Sequence, residues 1–207
     1  MKISEGVKKL KGKSVEIPDT GRDFLPEFFK EIGCEYVAEI GVFRGEYTEV
    51  LAKSGLWKVY AIDPWLSYPD YPYYNKDDEQ WREDKNYEVT FNRLFKYPNV
   101  EIIRKTSMDA LADIPDGSLD AVYIDGNHSF KYVAEDICEW YKKVRPGGWI
   151  CGHDYFYGNP KKMHVRYVVD AYVEAHAIKN LWILGEKKAK PGEVRDDFRS
   201  WMFQKPL

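Results

Sequence analysis

Two short stretches carry side chains suited to proton transfer and ion binding. Asp125-Gly-Asn-His128 follows the apolar run Leu119-Asp-Ala-Val-Tyr-Ile124, and His153-Asp154 follows Trp149-Ile-Cys151. Each run reads as a buried strand, so both polar sets fall at strand ends. Asp125 and Asp154 together could hold a divalent cation that lowers the pKa of a substrate hydroxyl. His128 is the candidate general base, because imidazole titrates near neutrality. His153 adds a nitrogen beside Asp154. Mg²⁺ prefers an all-oxygen shell, so this histidine opens the set to Mn²⁺, and two histidines with one carboxylate would also suit iron. The bland alternative is that Asp125 and Asp154 cap turns, since Asp-Gly and Asp-Tyr at strand ends are ordinary loop chemistry.

A second constellation lies upstream. Tyr36-Val-Ala-Glu39-Ile-Gly41-Val-Phe-Arg-Gly45-Glu-Tyr-Thr48 passes from an apolar run through a glycine-spaced turn into helix-forming sequence. Glycines at 41 and 45 leave no Cβ where backbone must pass close to a ligand, and a helix starting near Glu46 points free N–H groups into the same space. Lys58-Val-Tyr-Ala-Ile62-Asp63 is a second strand pattern ending in a carboxylate, placed where adenosine-binding α/β domains hold ribose hydroxyls. Val100-Glu-Ile-Ile103 leads in the same way to Thr106-Ser107-Met108-Asp109.

The elements that must position these residues alternate along the chain. Strands are expected near 36–40, 58–62, 100–103, 119–124, 149–151, 181–184 and 200–203, seven in all, with helical spacing between the first six. This predicts an α/β, Rossmann-like, mostly parallel sheet with helices on both faces. In such a sheet ligands bind outside the carboxyl ends of the strands, so Asp63, Ser107, Asp125, His128, His153 and Asp154 converge. One stretch, about 64–86, breaks the pattern: Trp65, Tyr68, Tyr71, Tyr73, Tyr74 and Trp81 mix with prolines and acids. It is expected to form a substrate lid or an interface. Cys34, Cys138 and Cys151 sit in apolar surroundings and are expected to be buried free thiols.

Glu39-x-Gly41-x-x-x-Gly45 resembles the first motif of class I S-adenosylmethionine-dependent methyltransferases, E/D-x-G-x-x-x-G, rather than the dinucleotide fingerprint G-x-G-x-x-G. S-adenosylmethionine carries a sulfonium and an ammonium and no phosphate, so a nearby carboxylate suits it. Ile124-Asp125-Gly126-Asn127-His128-Ser129-Phe130, then Arg145-Pro146-Gly147-Gly148 and His153-Asp154-Tyr155, is similar to the branch containing macrocin-type and other sugar O-methyltransferases. Members of that branch show D-G-x-H-x-Y and D-D-Y, so His153 is a departure. The resemblance implies the seven-stranded fold of that class and O-methylation of a hydroxyl on a sugar or natural-product-like small molecule. It implies that Glu39, Gly41, Gly45, Asp63, Ser107, Met108 and Asp125 hold the cofactor. Asp125 and His128 would then be catalytic, and Asp125, Asp154 and His153 would ligate Mg²⁺ or Mn²⁺.

Composition narrows the partners. A net charge of −3 from 31 basic and 34 acidic side chains offers no footprint for nucleic acid. No apolar run approaches the roughly 20 residues of a membrane span, and the first residues lack a signal-peptide core, so a cytoplasmic location is expected. No linker divides residues 1–207, which reads as one domain; a homo-oligomer is left open. Two other function classes are weighed. A nicotinamide-dependent oxidoreductase is disfavoured by the missing G-x-G-x-x-G. A non-catalytic binding protein on the same fold is disfavoured by the acids and histidines at the strand ends.

Overall fold

The runs Tyr36–Ile40 (β2), Lys58–Ile62 (β3), Val100–Ile103 (β4) and Leu119–Ile124 (β5) pair side by side. The inner ones are largely apolar on both faces and need cover on both; all six residues of β5 are buried, whereas β4, at the sheet edge, exposes Glu101. A computed structural model describes residues 1–67 and 80–207. It adds β6 (Val144–Gly152), β7 (Trp182–Leu184), β8 (Trp201–Gln204) and, before them all, β1 (Val15–Ile17). The sheet order is β1-β7-β8-β6-β5-β2-β3-β4, parallel except for β8, which runs antiparallel to both neighbours.

The sheet therefore has eight strands where seven were expected. The added strand is β1, whose Val15, Glu16 and Ile17 pair in parallel register with Trp182, Ile183 and Leu184. Three residues are too few to show a period of two against their neighbours, so this pairing is set by the fold rather than by local pattern.

Helices α1 (Ile3–Lys9), α2 (Leu25–Glu31) and α3 (Glu46–Lys53) cover one face, where Phe28, Phe29 and Leu51 pack with Val37, Tyr123 and Trp149. The other face is covered by α5 (Ser107–Ala110), α6 (Phe130–Lys143) and α7 (Val165–Ala175), where Val133, Ile137, Trp140 and Val169 pack with Ile40, Val122 and Ile124. Each such side chain contributes about 1.5–3 kcal/mol on leaving water. After β3 and β4 on one side of β2 the chain crosses to β5 on the other side, so a crevice opens above the carboxyl ends of β2 and β5.

Two local expectations change, and a third falls outside the described residues. Trp65 is not a lid residue: it is buried, packs edge-on against Tyr87 with ring centroids 5.0 Å apart, and supports the glycine turn from behind. Tyr68, Tyr71, Tyr73 and Tyr74 lie outside the described residues. Cys34 and Cys151 are buried free thiols, but Cys138 is exposed, on the outer side of α6. Among the described residues no helix is long and apolar enough to cross a membrane.

The start of β5 is pinned by a carboxylate. Asp120 Oδ2 accepts from the backbone N–H groups of Glu35 (2.7 Å) and Tyr36 (2.8 Å), and Oδ1 accepts from Arg145 Nε at 2.6 Å. Burial alone would raise its pKa, but the two N–H groups and the guanidinium outweigh burial and lower it. A depressed folded-state pKa gives stability that is present above about pH 4 and is lost as pH falls through the folded value. Asp120→Asn should therefore cost about 2 kcal/mol at pH 7 in denaturant unfolding. The gap between parent and variant should close as the pH is taken below 4.

Candidate active site

A cleft of about 1030 Å³ lies above the β2–β5 crevice. Of the residues expected to bind a cofactor, Glu39, Gly41, Asp63, Ser107, Met108 and Asp125 line it, and so does His128. Gly45 does not. It sits at φ +75° as the residue before α3, where a Cβ would meet Thr90 and Leu94 of α4 (Gln80–Leu94) at 3.2 Å. Gly45 thus keeps room for a helix. Gly41, at φ +88°, is needed for a tighter approach still: a Cβ there would stand 2.2 Å from the Asp125 carbonyl oxygen. Both glycines are accounted for by the chain packing on itself, and only Gly41 also faces the cleft.

Asp63 holds the turn. Its Oδ2 accepts from the N–H groups of Val42 (2.9 Å) and Phe43 (3.0 Å), and its Oδ1 accepts from the N–H of Trp65 (2.8 Å). Burial raises its pKa against these three hydrogen bonds. A carboxylate has about four acceptor positions, so three backbone bonds leave about one for a ligand hydroxyl. Phe43, at φ +53°, turns its carbonyl toward Trp65 Nε1 (2.7 Å) and Thr90 Oγ1 (2.8 Å). Glu39 lies deeper, 2% exposed, and accepts from the Thr48 hydroxyl of α3. Burial pushes its carboxyl up to about 8, with Asp125 and Asp63 adding to the effect and Thr48 and Arg22 opposing it.

At the other end of the cleft the acids and histidines meet. Ile124 and Gly152 are register partners, so Asp125 and Asp154 leave adjacent strands together. His128 Nε2 lies 2.9 Å from Asp154 Oδ2 and 3.8 Å from Asp125 Oδ1. His153 Nδ1 lies 3.8 Å from Asp125 Oδ1 and 3.7 Å from Asp154 Oδ2. The tightest donor set is Asp125, His128 and Asp154, whose ligand atoms all fall within 4.8 Å of one another. His153, expected as the nitrogen ligand, stands beside this set, lining a narrow crevice with Asp125, His128, Val133, Val165 and Trp201. Burial would lower the His128 pKa, yet hydrogen bonds and charge from Asp125 and Asp154 raise it to about 9. Asp154, at φ +59°, is buried, but the same two histidines hold it well below the usual carboxylate range.

Two residues with roles here escape the sequence reading. Arg22, in the 3₁₀ turn Arg22–Phe24, lines the cleft and sets Nη1 3.2 Å from Asp125 Oδ2. Its backbone N–H donates to both oxygens of Asp196 (3.0 and 2.8 Å), and its carbonyl accepts from Tyr47 Oη at 3.1 Å. No local pattern marks it. Asp136 is buried on α6 at the cleft wall and accepts from the Ser107 hydroxyl, while Trp140 Nε1 donates to Ser107 Oγ at 2.7 Å. Burial pushes the Asp136 carboxyl up to about 7. A signal for it existed: Val133, Asp136, Ile137 and Trp140 form one helical stripe, in which a carboxylate is out of place.

Comparison with known proteins agrees with this architecture. An O-methyltransferase from Bacillus cereus, solved with S-adenosylhomocysteine, superposes with a TM-score of 0.61 at 17% identity, over 89% of this chain and 80% of that one. An O-methyltransferase of tomaymycin synthesis from Streptomyces achromogenes, solved with S-adenosylmethionine, gives 0.60 at 14% identity, over 89% and 79%. At such identities the likeness is one of fold. An uncharacterized protein from Sinorhizobium fredii is 30% identical over 97 residues, which is 46% of this chain and 10% of that protein's length. A family model described as a methyltransferase domain matches residues 38–155, from the β2 strand through the His153-Asp154-Tyr155 turn and more than half of the chain. The chain belongs to this methyltransferase-domain family.

Proposed function

We propose that the cleft binds S-adenosylmethionine and that the chain transfers its methyl group to a hydroxyl oxygen of a small-molecule acceptor, sugar or natural-product-like. The observation that carries the reading is that Asp125 and His128, grouped with the buried Asp154, line the same cleft as Glu39, Gly41 and Asp63. Methyl transfer is an in-line displacement for which the cofactor supplies the reactive group, so the protein must align an oxygen and take its proton. His128 takes that proton, and Asp154, 2.9 Å away, orients the ring and stabilises its charged form. Arg22 balances the charge of Asp125 at the same end.

Asp125, His128 and Asp154 also fit a divalent cation that accepts imidazole nitrogen, better matched to Mn²⁺ than to Mg²⁺. When bound there, such an ion would supply positive charge that lowers the pKa of the acceptor hydroxyl. His128 Nε2 then serves either the ion or the proton, not both.

The test is turnover of labelled S-adenosylmethionine against a panel of hydroxyl compounds. Transfer to at least one class is expected, and calorimetry should show cofactor binding without an acceptor; binding of nicotinamide dinucleotides in its place would overturn the reading. Asp63→Ala should weaken S-adenosylmethionine binding by about 1–3 kcal/mol and lower unfolding stability as well, because three backbone N–H groups lose their acceptor. Unchanged affinity in a folded Asp63→Ala protein would remove Asp63 from the cofactor site.

The base role fixes a pH profile. His128 keeps its proton until the pH nears 9, so the neutral form, roughly one part in a hundred at pH 7, grows as pH rises. In the metal-free protein kcat/KM should rise with pH and level only above about 9. Asp154→Asn removes the nearer partner and should move that rise toward pH 6.5, the unperturbed histidine value. A flat profile in both proteins assigns the base elsewhere.

Excess chelator distinguishes the two uses of His128. A strong loss of turnover with cofactor binding intact, restored better by Mn²⁺ than by Mg²⁺, is the outcome expected if the ion is used. Full activity in chelator would assign deprotonation to the His128–Asp154 pair alone.

A further inference from the structure

Beside the candidate ion site the protein already carries a cation. Arg22 lines the cleft and sets Nη1 3.2 Å from Asp125 Oδ2, while His128 and His153 stand near Oδ1 of the same carboxylate. An ion held by Asp125, His128 and Asp154 would therefore share Asp125 with a guanidinium that stays protonated. Positive charges on the two sides of one carboxylate repel at close range, so the arginine and the ion compete for Asp125.

Arg22 is held from several elements. Its backbone N–H donates to both oxygens of Asp196 in the β7–β8 connection, its carbonyl accepts from Tyr47 Oη of α3 at 3.1 Å, and its guanidinium lies 5.3 Å from the centre of the Tyr47 ring. Ser200 Oγ donates to the same Asp196 carboxylate at 2.8 Å and stands 2.9 Å from the hydroxyl of Tyr123, two residues before Asp125 in sequence. Asp196 comes this close only because residue 21 is glycine: a Cβ there would stand 2.5 Å from Asp196 Oδ1. These backbone ties do not use the guanidinium, so the side chain can be exchanged without undoing the turn. The Asp125 bond uses one of its five N–H donors.

We propose that Arg22 is the cation of the reaction site: it keeps a divalent ion off Asp125 and itself supplies the positive charge that the acceptor oxygen meets as its proton leaves. This rests on the S-adenosylmethionine reading. With the charge supplied by Arg22, His128 Nε2 has no ion to ligate and is left to take the proton. The acceptor hydroxyl gives its proton to that nitrogen, its oxygen bonds the methyl carbon, and the electron pair of the broken carbon–sulfur bond stays on sulfur. Asp196 acts through Arg22 and is a positioning residue.

The experiment is calorimetry with Mn²⁺ alone, with S-adenosylhomocysteine binding measured on the same proteins. Arg22→Gln should bind Mn²⁺ roughly tenfold or more tighter than the parent, and Arg22→Lys, which keeps the charge, should stay close to the parent. Asp196→Ala keeps the charge but frees the backbone beneath it, and should raise Mn²⁺ affinity part of the way; no change there would overturn the part given to Asp196. S-adenosylhomocysteine affinity should be the same in all four proteins. Parental turnover should survive excess chelator, while that of Arg22→Gln should fall and recover with Mn²⁺. Equal Mn²⁺ affinity in parent and Arg22→Gln, or weaker binding in the variant, would overturn the inference. Loss of S-adenosylhomocysteine affinity in Arg22→Gln at unchanged Mn²⁺ affinity would put Arg22 on the cofactor and overturn it as well. A parent that binds no S-adenosylhomocysteine would overturn the cofactor reading and the role in transfer with it, while the Mn²⁺ series reports the competition for Asp125 separately.

Discussion

The approach of Gly41 to Asp125 governs the rest of the site. With 2.2 Å between a would-be Cβ and the Asp125 carbonyl oxygen, the exits of β2 and β5 can lie side by side only if residue 41 has no side chain and takes a positive φ. The Asp125 N–H donates to Ile40 at 2.7 Å and the Gly41 N–H to Ile62 at 2.9 Å, so three strand ends are locked at one level. From that level Asp63 reaches back to the turn, Glu39 lies beneath it, and Asp125 and His128 project beyond it. The glycine serves the ligand indirectly, by letting the protein's own backbone close up first.

Charge is organised on this frame by pairing. Asp125 meets Arg22 on one oxygen and has His128 and His153 near the other, while Asp154 lies against His128. Buried acids that lack such cations behave differently: Glu39 and Asp136 are pushed up to about 8 and about 7, whereas Asp154 is held down. The same residue type is thus tuned both ways within one cleft, by whether a cation or only a hydroxyl faces it. Removing one member of the paired set would leave a buried charge uncompensated, which costs more than the pair contributes.

Much of this was legible in the chain. The central strands announce themselves as apolar runs, and the rule that ligands gather at strand ends brings Asp63, Ser107, Asp125 and His128 to one cleft from positions far apart. What was not legible depends on direction and distance. Whether Gly45 faces a ligand or a helix is decided by where α4 packs, and which of His128 and His153 comes closer to Asp154 is decided by which way each leaves its strand. Arg22 reaches the site through Asp196, which lies in the connection between β7 and β8, a partner 174 residues away that no local period encodes. Trp65 reads as lid material by composition and is instead a wedge beneath the turn.

That last long-range tie bears on the order of folding. Strand β1 closes against β7 across 167 positions, Val15 with Trp182, and a few residues later Arg22 is tethered to Asp196. Contacts so distant in sequence carry the full loop-closure cost until the intervening chain is already compact. The β2–β3, β3–β4 and β5–β6 pairings are far more local, and β2–β5 spans about half that separation, so each carries a smaller closure cost. The cleft floor can therefore form while the arginine that balances Asp125 is still absent. On that ground the charged end of the site is expected to be completed late in folding, once β1 has closed against β7.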